Sequence, residues 1–222
     1  SEAKKLIKKK KIMIGLNMRF HPAVIYLKNF IKKIGTVYNV NMEYGYDLST
    51  ARQSKKYYKG YYANKKEGGV ILDHIHELDC AHYLFGKFNS IYCTSKKISN
   101  LKIKSNDNAN IIMSSNLGFD LTIHLDYLQK KYTRTIKVIS QKGILEFNYV
   151  TGKFVFTKNN GKIIRKFFKP GFDSTYIQEI REFFISIKNK KKFYPSVSTA
   201  LIASQLADCA IKSNHKKKII KL

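Results

Sequence analysis

The 222 residues are enough for one large domain, and a content of 44% hydrophobic and 13% aromatic residues excludes a disordered chain. No apolar run approaches the roughly 20 residues of a membrane-spanning helix, which excludes a membrane-embedded protein. The net charge of +27, from 42 lysines and arginines against 15 acidic residues, would suit a polyanionic partner such as nucleic acid.

Lysine supplies almost all of this charge. The five arginines are Arg19, Arg52, Arg134, Arg165 and Arg181. Arginine is nevertheless the residue that reads phosphates and guanines in a bidentate manner. The lysines accompany abundant Asn, Ile and Tyr along the whole chain, as expected of a genome biased toward A and T codons. We therefore prefer codon bias to a nucleic-acid footprint, and nucleic acid is not the expected partner.

The cysteines and the first residues bear on the compartment. Cys80, Cys93 and Cys209 form no CxxC pair and no even set, which is typical of a reducing compartment and predicts neither a disulfide nor a zinc site. We therefore expect a cytoplasmic protein. The chain opens with neither an initiator Met nor the apolar core of a signal peptide, so we expect it to be part of something longer.

The first part of the chain predicts alternating helices and strands. A short amphipathic helix over 2–11 leads into a compact apolar run over 12–16, which is typical of a buried strand. Helical spacing follows over 24–34, and a strand covers 37–46. The polar, Tyr-rich and Lys-rich residues 47–69 are expected to form a loop that closes over something or lies disordered.

After this loop the pattern changes from one helix to a series of strands. The spacing over 70–85 is helical and ends before Gly86. Short apolar segments split by Asn-rich or Gly turns then predict an antiparallel meander. Its strands cover 88–98, 108–115, 117–128, 132–140, 143–150, 153–158 and 162–168. Two helices close the chain, at 173–189 with Asp173 as N-cap and at 196–214 with Ser196 as N-cap. The fold class is therefore α+β, with an open, mostly antiparallel sheet flanked by helices.

The densest group of reactive side chains follows the pair Gly68-Gly69. On a helix, Asp73, His76 and Asp79 are three residues apart and so share a face. Such a stack can orient a histidine tautomer and hold its pKa near neutrality, as a general acid or base acting on a substrate hydroxyl requires. The same spacing is common on solvated or hydrogen-bonded helix surfaces, so both interpretations stay open.

A metal site and a nucleotide cradle have less support. Asp73, His76 and either Glu77 or His74 could supply mixed ligands, but a further ligand from elsewhere would be needed, and no metal site is predicted. The sequence contains no GxSxG, HExxH, P-loop or GxGxxG motif. Nothing in it alone is therefore expected to bind a dinucleotide pyrophosphate.

Six segments, taken together and in order, resemble one protein family. They are Ile12-Met-Ile-Gly-Leu-Asn-Met-Arg-Phe-His-Pro22, Gly35-Thr-Val-Tyr38, Tyr57-Tyr-Lys-Gly-Tyr61, Gly68-Gly-Val-Ile-Leu-Asp-His-Ile-His-Glu-Leu-Asp79, His124-Leu-Asp-Tyr127 and Gly143-Ile-Leu-Glu-Phe147. This order closely resembles the C-terminal two thirds of a Gfo/Idh/MocA oxidoreductase, over essentially the whole chain. The resemblance implies an NAD(P)-dependent dehydrogenase or reductase acting on a sugar, cyclitol or nucleotide-linked sugar. It also implies a homo-oligomer formed through the sheet of a dihydrodipicolinate-reductase-like C-terminal domain.

The resemblance also implies a domain boundary. Residues 1–18 would be the last helix and strand of a Rossmann cofactor domain, and 19–222 the substrate-binding and oligomerisation domain. The glycine-rich turn and the Glu-Lys-Pro motif, whose lysine assists catalysis, are absent, and we expect that lysine a few residues upstream of Ser1. NAD or NADP is therefore not expected to bind this chain alone, and the isolated chain is expected to be inactive. A dead remnant kept for dimerisation and a basic nucleic-acid module remain as alternatives.

Site residues follow from the resemblance. His76 and Asp73 are the expected catalytic residues: His76 matches the family's helix histidine, the proposed proton donor and acceptor, and Asp73 matches the acidic residue one turn earlier. Asp79 matches a carboxylate one turn later and is expected to orient the helix. The positions expected to bind substrate are Asn17, Arg19, His21, Arg52, Lys66 and Tyr127.

The match is imperfect in three respects. The step from Asp73 to His76 is three residues instead of four, as in a branch with an Asp-x-x-His-Glu pattern. A third glycine before the helix and a tryptophan near Arg52 are missing. The Lys-rich loop 47–69 favours an anionic, nucleotide-linked or acidic substrate.

Overall fold

The computed structural model describes residues 12–51 and 56–222, and these residues form one nine-stranded sheet with helices packed against it. The helix expected over 2–11 and Arg52 lie outside the described residues. The strands are β1 Val37–Gly45, β2 Phe88–Lys96, β3 Asn108–Ser115, β4 Asp120–Asp126, β5 Thr133–Ser140, β6 Gly143–Asn148, β7 Lys153–Lys158, β8 Ile163–Phe167 and β9 Ile220–Lys221. The helices are α1 Pro22–Ile31, α2 Leu48–Ala51, α3 Val70–Asp73, α4 Ile75–Phe85, α5 Asp173–Lys188 and α6 Val197–Lys216. Single 3₁₀ turns cover Asn17–Phe20, Tyr57–Lys59 and Tyr61–Ala63.

The strand order is β8-β7-β6-β5-β1-β4-β3-β2-β9, which confirms the open, mostly antiparallel sheet and the α+β class. β1 runs parallel to β4 and antiparallel to β5, while the other neighbouring pairs are antiparallel. The expected meander is therefore interrupted, because β1 is inserted between β4 and β5. This insertion depends on pairing between segments far apart in sequence, which local periodicity does not report.

Burial alternates along the central strands, as the period of a strand requires. In β3, for example, Ala109, Ile111 and Met113 are buried beneath the helices, whereas Ile112 faces the opposite side and is 42% exposed. Helix α6 packs against β2 and α4, and α1 packs against α4. One face of the sheet is thus covered by helices, and the other is open.

Three local expectations are corrected by the structure. The helix expected over 70–85 is broken at His74, whose φ of −106° and ψ of 30° are not helical, so α3 and α4 are separate. Phe172, and not Asp173, is the N-cap of α5. Residues 12–16, expected as a strand, have no regular structure, because no neighbouring strand pairs with them in the described part of the chain. The expected N-cap of α6 is confirmed, since the Ser196 hydroxyl accepts from the N–H of Thr199.

The loop expected over 47–69 contains α2 and the two 3₁₀ turns of Tyr57–Lys59 and Tyr61–Ala63, apart from the residues that are not described. None of the helices in the described ranges is long and apolar enough to cross a membrane.

Candidate active site

The Gly68-Gly69 pair lets α3 start directly against the preceding loop. A Cβ at Gly68 would lie 2.4 Å from the backbone oxygen of Tyr61, which leaves no room for a side chain. Gly69 has a φ of +93°, a conformation that L side chains rarely adopt. The two glycines therefore fix where Asp73 and His76 lie relative to the loop.

Asp73, the last residue of α3, is buried beneath tyrosine hydroxyls. Tyr46 and Tyr127 each donate to its Oδ2 at 3.1 Å, and Tyr61 donates to its Oδ1. Tyr46 follows β1, Tyr61 belongs to the loop, and Tyr127 follows β4. Burial, and next the charge of Asp73, raise the pKa of Tyr127, so this phenol stays protonated as a donor. The carboxylate thus joins the loop and two strands.

The ring of His74, where the helix breaks, is packed among three tyrosines, two of which also bond Asp73. The ring lies 4.3 Å from that of Tyr44, 5.5 Å from Tyr46 and 5.3 Å from Tyr127, between centroids. Such aromatic contacts stabilise a ring position that a continuous helix would not offer. Asp73 therefore belongs to a turn that ends at His74, and His76 to the start of a new helix.

Asp79 forms a buried bidentate ion pair with Arg19. Arg19 donates from Nε to Oδ2 at 2.9 Å and from Nη2 to Oδ1 at 2.6 Å, and from Nη1 to the Tyr194 hydroxyl at 3.0 Å. Burial disfavours the charge of Arg19, but the bonds to Asp79 hold its pKa above the ordinary value. The pair ties α4 to the turn Asn17–Phe20, a contact suited to a carboxylate that orients the helix.

His76, the second residue of α4, is half-buried and lies between these two carboxylates in the chain. Its Nδ1 atom is buried and has no hydrogen-bond partner among the residues that the structure describes. Burial, and next the charge of Arg134, lower the pKa of His76, while Asp79 and Asp73 act in the opposite direction. The imidazole is therefore neutral near pH 7, the form that accepts a proton.

The sequence predicts that Asp73, His76 and Asp79 stack on one continuous helix. The structure differs, because neither carboxylate bonds the imidazole. Asp73 accepts from tyrosines and Asp79 from Arg19, so both carboxylates bond to other partners, and the charges of both still act on His76. The helix break at His74 is the reason, because Asp73 and His76 then belong to two separate helices and do not share one helix face.

A second buried ion pair, which the sequence analysis did not single out, lies next to His76. Glu77 accepts from Nη2 of Arg134 at 2.5 Å, and both side chains are buried. The guanidinium carbon lies 5.0 Å from the ring centre of Tyr44 and 5.1 Å from that of Tyr149. Arg134 is one of only five arginines, which is the signal that could have directed attention to it. It places a positive charge close to His76.

Asn17 and His21 are buried anchors at the start of the described chain. Asn17 donates from Nδ2 to the Thr175 hydroxyl of α5 at 2.9 Å. His21 caps α1, because its Nδ1 accepts from the N–H of Ala23 at 3.1 Å. Burial, and next the charge of Arg134, lower the pKa of His21 to about 4. In this structure both side chains bond to the protein's own groups.

Lys66 lies apart from the other expected site residues. It is exposed and lines a cavity of about 520 Å³ together with Gly69, Lys104 and His215. The lining of this cavity includes neither Asp73 nor His76. The described ranges hold no group of three or more His, Cys, Asp and Glu residues that could bind a metal ion.

The glycine that ends β1 in the described chain does not leave room for a dinucleotide pyrophosphate. A pyrophosphate binds where a glycine after a parallel strand leaves free space in front of a helix. Gly45 ends β1, the strand parallel to β4, and precedes α2. A Cβ at Gly45 would lie 2.3 Å from Nε2 of Gln129 and 2.6 Å from Oδ2 of Asp126, so side chains fill this space.

Comparison with known proteins identifies the family. A family profile described as "Oxidoreductase family, C-terminal alpha/beta domain" (GFO_IDH_MocA_C) matches residues 28–222. The chain belongs to the Gfo/Idh/MocA oxidoreductase family. Inositol 2-dehydrogenase from Rhizobium meliloti (strain 1021) is 26% identical over 226 residues, which cover 96% of this chain and 66% of that relative.

Solved structures of this family share the fold. An oxidoreductase from Agrobacterium radiobacter, in complex with NAD+, L-tartaric acid and magnesium, has a TM-score of 0.82 at 17% identity. The match covers 99% of this chain and 69% of that one. Levoglucosan dehydrogenase in complex with NADH also has a TM-score of 0.82, at 19% identity, over 96% of this chain and 67% of that one. This Gfo/Idh/MocA chain thus spans about two thirds of the length of these relatives.

Proposed function

We propose that the chain is the substrate-binding and proton-transfer part of an NAD(P)-dependent oxidoreductase acting on a sugar, cyclitol or nucleotide-linked sugar. His76 supports this best. It is a neutral imidazole at a helix start, with a buried nitrogen that no described residue bonds, next to fixed charges of both signs. Such a ring is available to exchange a proton with a hydroxyl group.

In this proposal His76 takes the proton from the substrate hydroxyl during oxidation and returns it during reduction. The charge of Arg134 and the burial of the ring disfavour the imidazolium, which keeps the ring as an acceptor near pH 7. Asp73 and Asp79 do not exchange protons here. They hold the start and the first turn of α4 through the tyrosines and Arg19.

The nicotinamide cofactor would be held by another domain. The side chains of Gln129 and Asp126 fill the space beside Gly45, the glycine at the end of a parallel strand, which supports this part of the proposal. Residues 1–18 would belong to that domain, and 19–222 to the substrate domain. The chain on its own is therefore proposed to be inactive. Titration of the isolated chain with NADH or NADPH, followed by cofactor fluorescence, should show no enhancement, and micromolar binding would overturn this part of the proposal.

A chimera tests the activity itself. The N-terminal third of the R. meliloti inositol 2-dehydrogenase, which this chain does not cover, would be joined in front of Ile12. We expect the chimera to bind NADH and to reduce NAD+ with a cyclitol or sugar. His76→Asn should lower kcat about 10²–10⁴-fold, the usual contribution of a general acid or base.

His82→Asn is the matched control, since His82 lies on the same helix and bonds the backbone oxygen of Gly86. It should keep kcat within about twofold, because a substitution away from the reacting groups changes the barrier little. A chimera that binds NADH but keeps its activity after His76→Asn would exclude His76 as the acid or base. A chimera that binds NADH and turns over none of the sugars would favour the remnant alternative.

The substrate is proposed to carry a negative charge. Lys65, Lys66 and Lys104 line the cavity beside the Gly68-Gly69 turn, and the residues lining it include no acidic side chain. Because His76 does not line this cavity, the charged part of a nucleotide-linked or acidic sugar, and not its reacting hydroxyl, would be attracted to this cluster. Equal turnover of myo-inositol and a nucleotide sugar by the chimera would remove the reason for this choice.

The open face of the sheet is proposed to join two copies of the chain. Ile139 and Ile144 pair across β5 and β6, and Ile112 lies on β3 of the same face, beyond β1 and β4; the three side chains are 36–42% exposed. Apolar patches of this kind mark interaction surfaces. A mass measurement in solution should give a dimer or larger oligomer for the native chain and a monomer for Ile139→Lys. A native monomer would contradict both this proposal and the alternative of a scaffold kept for dimerisation.

A further inference from the structure

The open face of the sheet contains a groove with polar and charged walls. The groove has a volume of about 540 Å³ and crosses β3, β4, β1 and β5. Its lining includes His124 of β4 and Lys137 of β5. His124 lies directly opposite Asn110 of β3 and Glu43 of β1 in the two strand pairings. We call this feature the His124 groove, because the histidine is at its centre.

The ring of His124 has an oxygen atom within hydrogen-bond distance of each nitrogen. Nδ1 lies 2.8 Å from Oδ1 of Asn110, and Nε2 lies 2.9 Å from Oδ2 of Asp126. A neutral imidazole can donate from one nitrogen only, whereas an imidazolium donates from both. The hydrogen bond to Asp126, which acts against burial, raises the pKa of His124 above its ordinary value of 6.5. The site therefore favours the charged form of the ring.

Asp126 is buried and accepts several hydrogen bonds besides the one from His124. The backbone N–H groups of Leu128 and Gln129 donate to its Oδ1 at 2.7 Å and 3.0 Å, and Nε2 of Gln129 donates to its Oδ2 at 2.7 Å. Burial acts to raise the pKa of Asp126, but these bonds hold it below the ordinary value. Nε2 of Gln129 also donates to Oε1 of Glu43 at 2.9 Å. Two carboxylates thus lie beside one imidazole.

The other basic side chain of the groove is shared with a third carboxylate. Among the described residues that line the groove, this side chain is Lys137, and its Nζ lies 3.6 Å from Oε1 of Glu146 on β6. Asp126, Glu43 and Glu146 therefore outnumber Lys137 when His124 is neutral. Protonation of His124 reduces this excess of negative charge, because it adds a positive charge between Asp126 and Glu43.

The His124 groove lies between the apolar positions that are proposed to join two copies of the chain. Ile112 is on β3, and Ile139 and Ile144 are on β5 and β6, whereas His124 and Glu43 are on the strands between them. A second copy that covers all three isoleucines must also cover the groove. A twofold interface presents the same patch from both copies, so it brings two negative clusters together. Like charges that are brought together out of water oppose association.

We propose that His124 makes the association of two copies depend on pH, with the charged imidazole favouring the oligomer and the neutral imidazole favouring the free chain. The proposal rests on the part of the proposed function that assigns the open face to a second copy. A second negative cluster favours the imidazolium, so the pKa of His124 should be higher in the oligomer than in the free chain. Its contribution to association is therefore fully present below the pKa of the free chain, and it is lost as the pH rises through the pKa of the oligomer.

Sedimentation equilibrium of the isolated chain at pH 6 and pH 8.5, at one ionic strength, tests the proposal. The Kd for association should be at least about tenfold lower at pH 6, which corresponds to about 1.4 kcal/mol. His124→Gln keeps an amide that can donate to Asp126 but does not titrate, so its Kd should equal the native value of pH 8.5 at both pH values. His124→Lys keeps a positive charge at both pH values, so its Kd should be low and should not change between them.

His82→Asn is the matched control, because His82 belongs to α4 on the covered side of the sheet. This variant should keep the full pH dependence of the native chain. Circular dichroism of all variants at both pH values shows whether they are folded. A pH dependence that persists in His124→Gln would assign the effect to another group and overturn the proposal.

The remaining outcomes separate this inference from the proposed function. A native oligomer with the same Kd at both pH values, which Ile139→Lys converts to a monomer, would refute the role of His124 and leave the interface intact. A native chain that is monomeric at both pH values would refute the interface and this inference together. The activity of the chimera would still test proton transfer by His76, because that measurement does not depend on the open face.

Discussion

Helices α5 and α6 follow each other in the chain but use their apolar residues in opposite ways. In α6, Ala203, Leu206, Ala207 and Ala210 are buried, and the helix packs on β2 and α4. In α5 the buried residues are polar and the apolar ones are exposed. The apolar face of a helix points to what covers it. The sheet and α4 cover the apolar residues of α6, whereas the apolar residues of α5 are exposed in the described part of the chain, so the two helices contribute to stability in different ways.

The largest effect is expected in α6. Leu206→Ala removes a side chain that is 4% exposed and leaves a cavity against the sheet, which should lower the free energy of unfolding by about 2–5 kcal/mol. Urea unfolding followed by circular dichroism measures this change. A loss below about 1 kcal/mol would mean that α6 is held less tightly than its burial indicates.

A pH effect is expected at the base of α5. The ring of His21 lies 5.9 Å from that of Phe172, the N-cap of α5. The pKa of His21 is about 4 in the folded chain, against an ordinary value of 6.5 for the unfolded chain. Below pH 6.5, His21 therefore binds a proton more readily in the unfolded chain than in the folded one. The contribution of His21 to the free energy of unfolding is therefore fully present above pH 6.5. It is lost as the pH falls toward 4, and the loss is at most about 3 kcal/mol.

His21→Asn is the matched variant for this prediction. Asparagine keeps a side-chain acceptor for the N–H of Ala23 but does not titrate. Urea unfolding at pH 7 and pH 5 should therefore show a smaller loss of stability in the variant than in the native chain. Equal losses in both would show that other groups cause the acid sensitivity.

A smaller effect is expected on the polar, buried side of α5. Thr175→Val keeps the shape of the side chain but removes the acceptor for Nδ2 of Asn17, which is buried. The free energy of unfolding should fall by about 1–2 kcal/mol, because a buried donor is left without a partner. A double-mutant cycle with Asn17→Ala isolates the bond, and additive losses would show that the two side chains do not act together.

The smallest effect is expected on the exposed face of α5. Phe184→Ser in the isolated chain should change the free energy of unfolding by less than about 0.5 kcal/mol, because the ring is 64% exposed. Phe183→Ser is the neighbouring control, since Phe183 is half-buried and its ring lies 5.4 Å from that of Phe193. A larger loss for Phe184 than for Phe183 would reverse our assignment of the two faces.

The sequence predicts local elements well, because the hydrophobic periodicity of a strand or a helix depends only on residues that are close together in the sequence. The bounds of β3 and β7 match the predicted 108–115 and 153–158 without change. The insertion of β1 beside β4 was missed because that pairing joins residues about 80 positions apart, as between Asn39 and Asp120.

The candidate site was only partly accessible to sequence reasoning. The cluster of Asp73, His76 and Asp79 could be found because its members lie within one turn or two of each other. The break at His74 and the pair of Glu77 with Arg134 could not, since they depend on tyrosines and an arginine from distant strands. Arg52 and residues 1–11 stay predictions, because they lie outside the described residues.

The tyrosine hydroxyls around Asp73 have a consequence for assembly of the site. Tyr46, Tyr61 and Tyr127 come from three separate segments and donate to one carboxylate, and hydrogen bonds in such a network strengthen one another. The loop before α3 is thereby linked to the rim of the sheet as a single cooperative unit. Its local opening should expose Asp73 to solvent all at once, as one exchange event and not as independent fraying of each tyrosine.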